Sequence, residues 1–573
     1  MQKASDSAPA LASFSLDALP VINHFLEPLD LSTVLEAYLP PPHPRRRVPP
    51  VQAIGLLLRN LLLSREPLYG IGAWASRFEP SLLGLPPEGS GLLNDDQVGR
   101  ALDDLFDADR SSLILRIVVT AVREFHLSLR RFHNDSTTVS FQGEYREADG
   151  RRVRKKPTLR ITFGHNKDHR PDLKQLLWSL TVTADGAVPV HYQALDDNTT
   201  DDQTHIATWN LLRAIAGRAT FLYVADSKLC TRPQMRYIQG HGGRFLTVVP
   251  ATRKEVGRFE EEVRKHTLPW EEVLRLPHPQ RKEAPPDIFR AYEDPEGSVE
   301  GYRIVWFHST EKEKRDRQQR QEMMDRAIQE LRDLNDRLAS PRTRFRKRAK
   351  VDEEIRRILE ECPASSWLEV EVGERVEESF RQATRGRPGP HTKYRRLLRP
   401  RFQVTWRPRP EALTEAEKTD GLFPLITNDR KLGAKQMLRC YKLGQPGVEQ
   451  RHHNLKAFHH VAPQYLKSVP RIEAFLCVYF LALLVNALIE REMRRAMKRR
   501  RLPALPLYPE GRPCKRPTTQ QIFRIFEGLM VHQLTTTRGG RYVYQPKLNG
   551  LQKKVLRLLG MRPQPQAYRI SMG

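Results

Sequence analysis

The sequence predicts an α/β protein: a mixed sheet with flanking helices, preceded by a helical N-terminal domain and interrupted by an α+β insertion with a helical hairpin. Three observations lead there. Apolar residues recur at helical spacing up to about residue 130. From Phe132 the texture changes to β-branched runs that then alternate with a helical segment. Residues 251–420 break that alternation with highly charged sequence, and an apolar strand resumes it afterwards.

Residues 1–130 form the predicted N-terminal domain. The apolar periodicity runs through Val21–Phe25, Val34–Leu39, Val51–Leu63, Val98–Phe106 and Leu113–Phe125, with breaks at Pro40–Pro50 and Pro80–Gly91. Asn94 ahead of Asp95 and Asp96 predicts an N-cap with acids in the first turn. Such a domain is either a scaffold or a sequence-specific DNA-binding unit, and no helix-turn-helix can be assigned from its residues.

Residues 131–250 make the first part of the predicted core. Phe132–Phe141, Leu159–Gly164 and Leu176–Ala184 read as strands, Asp185-Gly186 as a turn and Val188–Ala194 as the return strand. A polar loop, Asp196–Asp202, leads into a helix from about Gln203 to Ala216. It lacks the glycine and the terminal glutamate of a calcium loop, so it reads as helix capping. Ala219–Ala225 is a short apolar strand that ends at Asp226, and Arg244–Pro250 is another strand. Alternation of this kind implies a mixed sheet covered by helices.

Residues 251–420 are the predicted insertion. Glu311–Ala339 is a charged helix with the thin seam Ile328, Leu331 and Leu338, stopped at Pro341. Arg342–Cys362 reads as its antiparallel partner, the pair standing as an arm rather than a core. Trp367–Val372, Phe380 and Phe402–Trp406 add strand-like pieces. Residues 421–500 resume the core with the strand Leu422–Thr427, a helix starting near Pro446 and a buried helix over Ile472–Met497. Residues 501–573 are a basic tail with helix at Gln520–Val531 and Leu551–Leu559.

Composition narrows the function. Lys and Arg total 95 against 68 Asp and Glu, a net charge of +27, which argues for a polyanionic partner such as nucleic acid. The five cysteines are far apart with no CxxC pair, so a disulfide framework or a cysteine zinc site is not expected, and a reducing cytosol fits. Residues 1–43 hold one Lys and five acids and do not read as a signal peptide. Ala474–Ile489 is apolar for sixteen residues, broken by Asn486, and falls short of the ~20 that a bilayer requires. It is read as a core helix, and no membrane is expected.

Three acids stand out by context. Asp135 lies in a strand among small polar and β-branched residues, Asp226 ends a buried strand, and Glu449 follows the resumed strand on a helix. An acid at the C-terminal end of a strand projects into the crevice where α/β sheets bind ligands. Carboxylates are rarely buried unless paired or bound to metal, and hard oxygen donors suit Mg²⁺ or Mn²⁺. Two such ions activate an attacking oxygen and stabilise the leaving oxygen of a phosphodiester.

The ordered set resembles the DDE transposases of bacterial insertion sequences, in the branch with an insertion between the second Asp and the Glu. The resembling segments are His133-Asn134-Asp135-Ser136-Thr137-Thr138, Gly164 through Gln175, Val224-Ala225-Asp226-Ser227-Lys228, Phe423 through Asn428, and Val448-Glu449 through Leu455-Lys456. The resemblance implies a ribonuclease-H-like core with Asp135, Asp226 and Glu449 as catalytic residues holding two Mg²⁺ (or Mn²⁺) ions. It also implies cleavage at element ends, attack of the freed 3′-hydroxyl on target DNA, a homodimer on double-stranded DNA, and a bacterial cytoplasm, nucleoid-associated. A nuclease of the same fold that never joins, an inactive DNA-binding copy, and an RNA-processing enzyme are the rival readings.

The family's helix signature is Tyr-x2-Arg-x3-Glu-x6-Lys. Glu449 and Lys456 keep its six-residue gap, which turns a helix by about 700° and leaves both on one face. Gln445 stands at the Arg position and Lys442 at the Tyr position, with Tyr441 one residue early. A Gln can bond a phosphate but cannot clamp it as a charged fork. Lys456, Gln445 and Lys228 are the DNA-contact candidates near the acids. His452, His453, His459 and His460 crowd the same helix, where without cysteine partners DNA contact or surface polarity is expected rather than zinc. Arg385-Gly386-Arg387-Pro388 resembles the core of a minor-groove hook, either that or a basic turn, so Arg385 and Arg387 are further candidates. Basic runs at Arg342–Lys350, Lys393–Arg401 and Arg491–Arg501 are expected to contact phosphates.

Overall fold

The computed structural model describes residues 10–41, 46, 48–86, 93–163, 172–196, 204–278, 283–459, 466–536 and 540–562. The chain forms two compact units, one from residues 1–247 and 438–573 and one from residues 248–437. The N-terminal helices and the C-terminal tail therefore belong to the same unit as the strands that carry Asp135 and Asp226.

The first unit is built on five strands in the spatial order Pro189–Asp196, Lys174–Thr183, Arg131–Phe141, Leu222–Val224, Arg244–Val248. The first three are antiparallel neighbours and the last two run parallel to Arg131–Phe141 and to each other. In chain order this is 3-2-1-4-5. Lys174–Thr183 is buried over nine of its ten residues, as expected for an inner strand covered on both faces. Helices Thr204–Ala216 and Arg232–Gly240 connect the parallel strands. The segment expected as the strand Leu159–Gly164 forms none among its described residues. Arg152–Val153 and Lys156–Pro157 pair briefly instead, and Leu159 donates its amide to Glu473.

Helix Val469–Arg499 crosses this unit, and its apolar stretch is buried all round. Helices Pro50–Leu63 and Asp95–Asp107 pack on it. Asn94 caps the latter by accepting from Gln97, with Asp95 and Asp96 in the first turn. The chain ends meet in a small antiparallel sheet of Ala10–Ser15, Met530–Thr535 and Arg541–Tyr544. The helix expected over Gln520–Val531 is thus only Thr519–Arg524, because Gly528 takes φ +77° and turns the chain into the strand. All five cysteines are buried, and among the described residues none forms a disulfide.

The second unit carries an antiparallel sheet of Glu271–Leu276, Asp287–Glu293, Arg303–Ser309 and Leu422–Thr427. Leu422–Thr427, the strand expected to resume the core, forms as a strand and pairs with Arg303–Ser309, Val305 opposite Leu425 and Phe307 opposite Phe423. Helices Thr310–Ala339 and Arg348–Glu361 do not stand as a bare arm. Leu331, Leu334, Leu338, Val351, Ile355 and Ile358 close a small core with Phe402 and Val404. Those two come from a two-stranded ribbon, Leu368–Gln382 and Tyr394–Pro408, paired over fifteen residues.

Candidate active site

Strand register alone brings two of the three acids together. His133 lies opposite Val224 across a parallel pair. Asp135 lies two residues beyond His133 on its strand, and Asp226 two residues beyond Val224, just past the end of its strand at the N-cap of a short helical turn. Asp135 accepts from the amide of Ser136 at 2.9 Å. Asp226 accepts from the amide of Lys228 at 3.2 Å, and its carbonyl takes the Thr247 hydroxyl.

Glu449 reaches them on helix Ala434–His459. This helix was expected to begin near Pro446; it begins twelve residues earlier, with Pro446 inside it. A proline there forfeits one backbone bond and crowds the preceding turn. Tertiary contacts on both sides hold the helix regardless. Arg131 donates to the Cys440 sulfur at 2.6 Å, and the His133 ring fills the space where a side chain at Gly444 would sit. Arg451, fully buried, donates to the carbonyls of Ala187 at 3.0 Å and Gly186 at 3.2 Å and pairs with Glu490 at 2.9 Å. The helix is thus locked to the Asp135 strand, to the Asp185-Gly186 turn and to the central helix.

Burial first, then Asp226, Asp135 and Glu449, push the Tyr441 hydroxyl up to about 12. Tyr441 therefore stays protonated in a field to which all three acids contribute. A buried imidazole stands near each Asp: His452 Nε2 is 3.8 Å from Asp135 and His205 Nε2 is 3.9 Å from Asp226. His205 also bonds the Tyr223 hydroxyl at 2.9 Å, and that phenol is raised by burial and by Asp226. His133 is held neutral, down to about 3, by burial and the nearby Arg131 charge. The donor chemistry of carboxylates fits hard divalent cations. Among the described residues, however, no three His, Cys, Asp or Glu side chains close directly on one ion-sized point.

Sequence reasoning missed His205 and Tyr441. Nothing local marks His205. Tyr441 was visible only as a displaced member of the helix signature. Of the DNA-contact candidates, Lys228 is exposed beside Asp226, and Lys456 is half-buried on the Glu449 helix. Arg385 and Arg387 are exposed in the second unit, in the turn of the ribbon. The side chains of Gln445, His459 and His460, most of the Gly164–Gln175 segment and residues 197–202 of the polar loop lie outside the described residues. One expected phosphate contact is corrected. Arg491 is buried, pairs with Asp185 and Glu492, and donates to the carbonyls of Phe125 and His126. Both terminal nitrogens are engaged by those partners and the Nε is buried, so the guanidinium is withdrawn from DNA.

Comparison with known proteins adds two findings. Residues 11–119 match the family described as a domain of unknown function, DUF4277. Among solved structures, the chain is similar to the piggyBac transposase in its synaptic complex with hairpin DNA. That match has a TM-score of 0.34 and 7% identity, covering 82% of this chain and 73% of that one. No curated protein matches the chain.

Proposed function

We propose that this protein is a DNA transposase with a ribonuclease-H-like core, acting on phosphodiesters at Asp135, Asp226 and Glu449. The reading rests on the register that pairs His133 with Val224, each two residues before its acid, and on the close approach of Gly444, five residues before Glu449 on the same helix, to the His133 ring. The 3-2-1-4-5 strand order supports the fold assignment, and the +27 net charge supports a polyanionic substrate.

Two Mg²⁺ or Mn²⁺ ions held by the three carboxylates would activate the attacking oxygen and stabilise the leaving one. The chain's own residues do the rest. Arg451 and Gly444 set the height of Glu449 over the sheet. Tyr441 keeps its proton, so it adds no further negative charge to the site. His452 and His205 stand 3.8 and 3.9 Å from Asp135 and Asp226 and line the site beside them. In the first step water attacks phosphorus, the P–O3′ bond breaks, and the strand end leaves as a 3′-hydroxyl beside a 5′-phosphate. In the second, that hydroxyl attacks a target phosphodiester and displaces its 3′-oxygen, which leaves as a hydroxyl after taking up, through solvent, the proton that the attacking hydroxyl gives up. Lys228 and Lys456 would meet the backbone phosphates. The working form would be a homodimer on double-stranded DNA in the bacterial cytoplasm.

The test uses the full chain, Mg²⁺ or Mn²⁺, and a plasmid carrying the DNA that flanks the reading frame. Asp135→Asn, Asp226→Asn and Glu449→Gln each abolish cleavage while duplex binding persists. Full activity in any one of them refutes the assignment. Pre-cut ends with free 3′-hydroxyls then report joining, whose absence would reduce the enzyme to a nuclease.

A further inference from the structure

We propose that the ribbon Leu368–Gln382/Tyr394–Pro408 is an arm that lies along double-stranded DNA, with its turn, Arg385-Gly386-Arg387-Pro388, in an A·T-rich minor groove. The inference depends on the reading above only for its choice of partner, not for any catalytic step.

Cross-strand partners share a face, so the register assigns every side chain. Near its base, one face of the ribbon (Leu368, Val370, Val372, Val404, Trp406) packs on the helical hairpin core. Further out that face continues with Val376, Phe380, Tyr394 and Leu398, which are 63%, 65%, 53% and 58% exposed. The opposite face carries Arg375, Arg381, Arg395, Arg399 and Arg401. Residues 379–401 hold eight Lys and Arg and no acid.

Two of those eight are neutralised, Arg396 by Glu378 and Arg401 by Glu377. Arg381, Arg385, Arg387, Lys393, Arg395 and Arg399 have no ion pair among the described residues, and all are exposed. Arg381 lies directly opposite Arg395, an arrangement that costs stability in an isolated hairpin. A two-stranded ribbon beyond its supporting core is itself marginal in water. A polyanion removes the repulsion. The exposed stretch, eight residue pairs from Arg375/Arg401 to Gln382/Tyr394, is about 26 Å long at ~3.3 Å per residue, enough to follow several phosphates.

The turn suits a narrow groove. The ladder closes at Ala383–Lys393, and Gln382 bonds the Gly386 carbonyl at 3.0 Å. Gly386 takes φ +144° with nothing within 4 Å of its missing side chain, so the segment is slim and presents Arg385 and Arg387 on either side. Arginines enter A·T-rich minor grooves because the narrow groove concentrates negative potential. Phe380 and Tyr394, next to the turn, supply the apolar contacts that minor-groove arms make at a base step.

The experiment measures full-chain binding to A·T-rich and G·C-rich duplexes of equal length, without divalent ions, at several salt concentrations. Arg381→Gln/Arg395→Gln weakens binding to both duplexes and makes the log–log salt slope shallower by about 1.8, two contacts at ~0.9 each. Between 50 and 200 mM salt that amounts to about 12-fold less loss of affinity than in the wild type. Arg385→Ala/Arg387→Ala removes the preference for the A·T-rich duplex. All four side chains are exposed, and unchanged thermal melting confirms the fold. Unchanged affinity and slope in both double variants overturn the inference, whether the ribbon then proves to bind anionic phospholipid vesicles or a second copy of this chain. Equal loss on both duplexes from the turn variant overturns the minor-groove assignment. Because no cleavage is read, these outcomes are independent of the carboxylate variants.

Discussion

Gly444→Ala puts a single methyl group between the Glu449 helix and the Asp135 strand. On helix propensity alone it stabilises by about 1 kcal/mol. The structure predicts the opposite. A methyl at Gly444 falls within the His133 ring; even Nδ1, the third-nearest atom, would be 2.6 Å away against an ordinary contact of at least 3.4 Å. Ring or helix must give by 0.8 Å (3.4 − 2.6) for that atom and by more for the nearer ones. The ring cannot swing away cheaply, because His133 is buried in a strand paired on both sides. Overpacking of this kind costs about 1–3 kcal/mol, so the net change is a loss of up to about 2 kcal/mol. The kinetic effect is larger. A catalytic group displaced by about 1 Å loses on the order of 100-fold in rate. Urea denaturation and plasmid cleavage measure the two effects, and Gly444→Ala/His133→Ala, which makes room for the methyl, recovers stability relative to the sum of the single changes. Wild-type stability and cleavage in Gly444→Ala would refute both the packing argument and the placement of Glu449.

Arg451→Met removes two carbonyl bonds and half of a buried ion pair, leaving Glu490 with Arg494 at 3.3 Å and the Thr519 amide. A cost of about 3 kcal/mol in denaturant melts is expected, with cleavage falling in parallel, and Glu490→Leu in the same chain should recover part of it. Less than 1 kcal/mol would deny Arg451 the positioning role. His191 is held down to about 4 by burial, against 6.5 when unfolded. A depressed histidine stabilises fully above its unfolded value and loses that contribution as pH falls, so between pH 7 and 5.5 it removes about 1.3 kcal/mol. His191→Gln should flatten that part of the stability–pH curve, and an unaltered slope would show that the ring is hydrated.

Much of the fold was legible because its signals are local. The turn at Asp185-Gly186, the cap at Asn94 and the buried stretch of Val469–Arg499 each depend on residues within a turn or two of one another. The errors arose where distant contacts override local preference. Pro446 marks a helix start by propensity, yet Arg451 and Gly444 tie the helix down beyond and before it. Arg491 looks like one more basic residue in a run, and only the fold places Asp185 against it.

The candidate site divides the same way. Asp135, Asp226 and Glu449 could be singled out from residue type and flanking pattern, because strand ends and helix faces are written in neighbouring residues. How the segments that carry them pack could not. It follows from a parallel register that sets His133 beside Val224, and from a glycine that lets a helix settle onto an imidazole. Those are matters of shape between segments far apart in the chain. A linear order of residue types specifies which groups are available, while close packing in three dimensions decides which of them share a point in space.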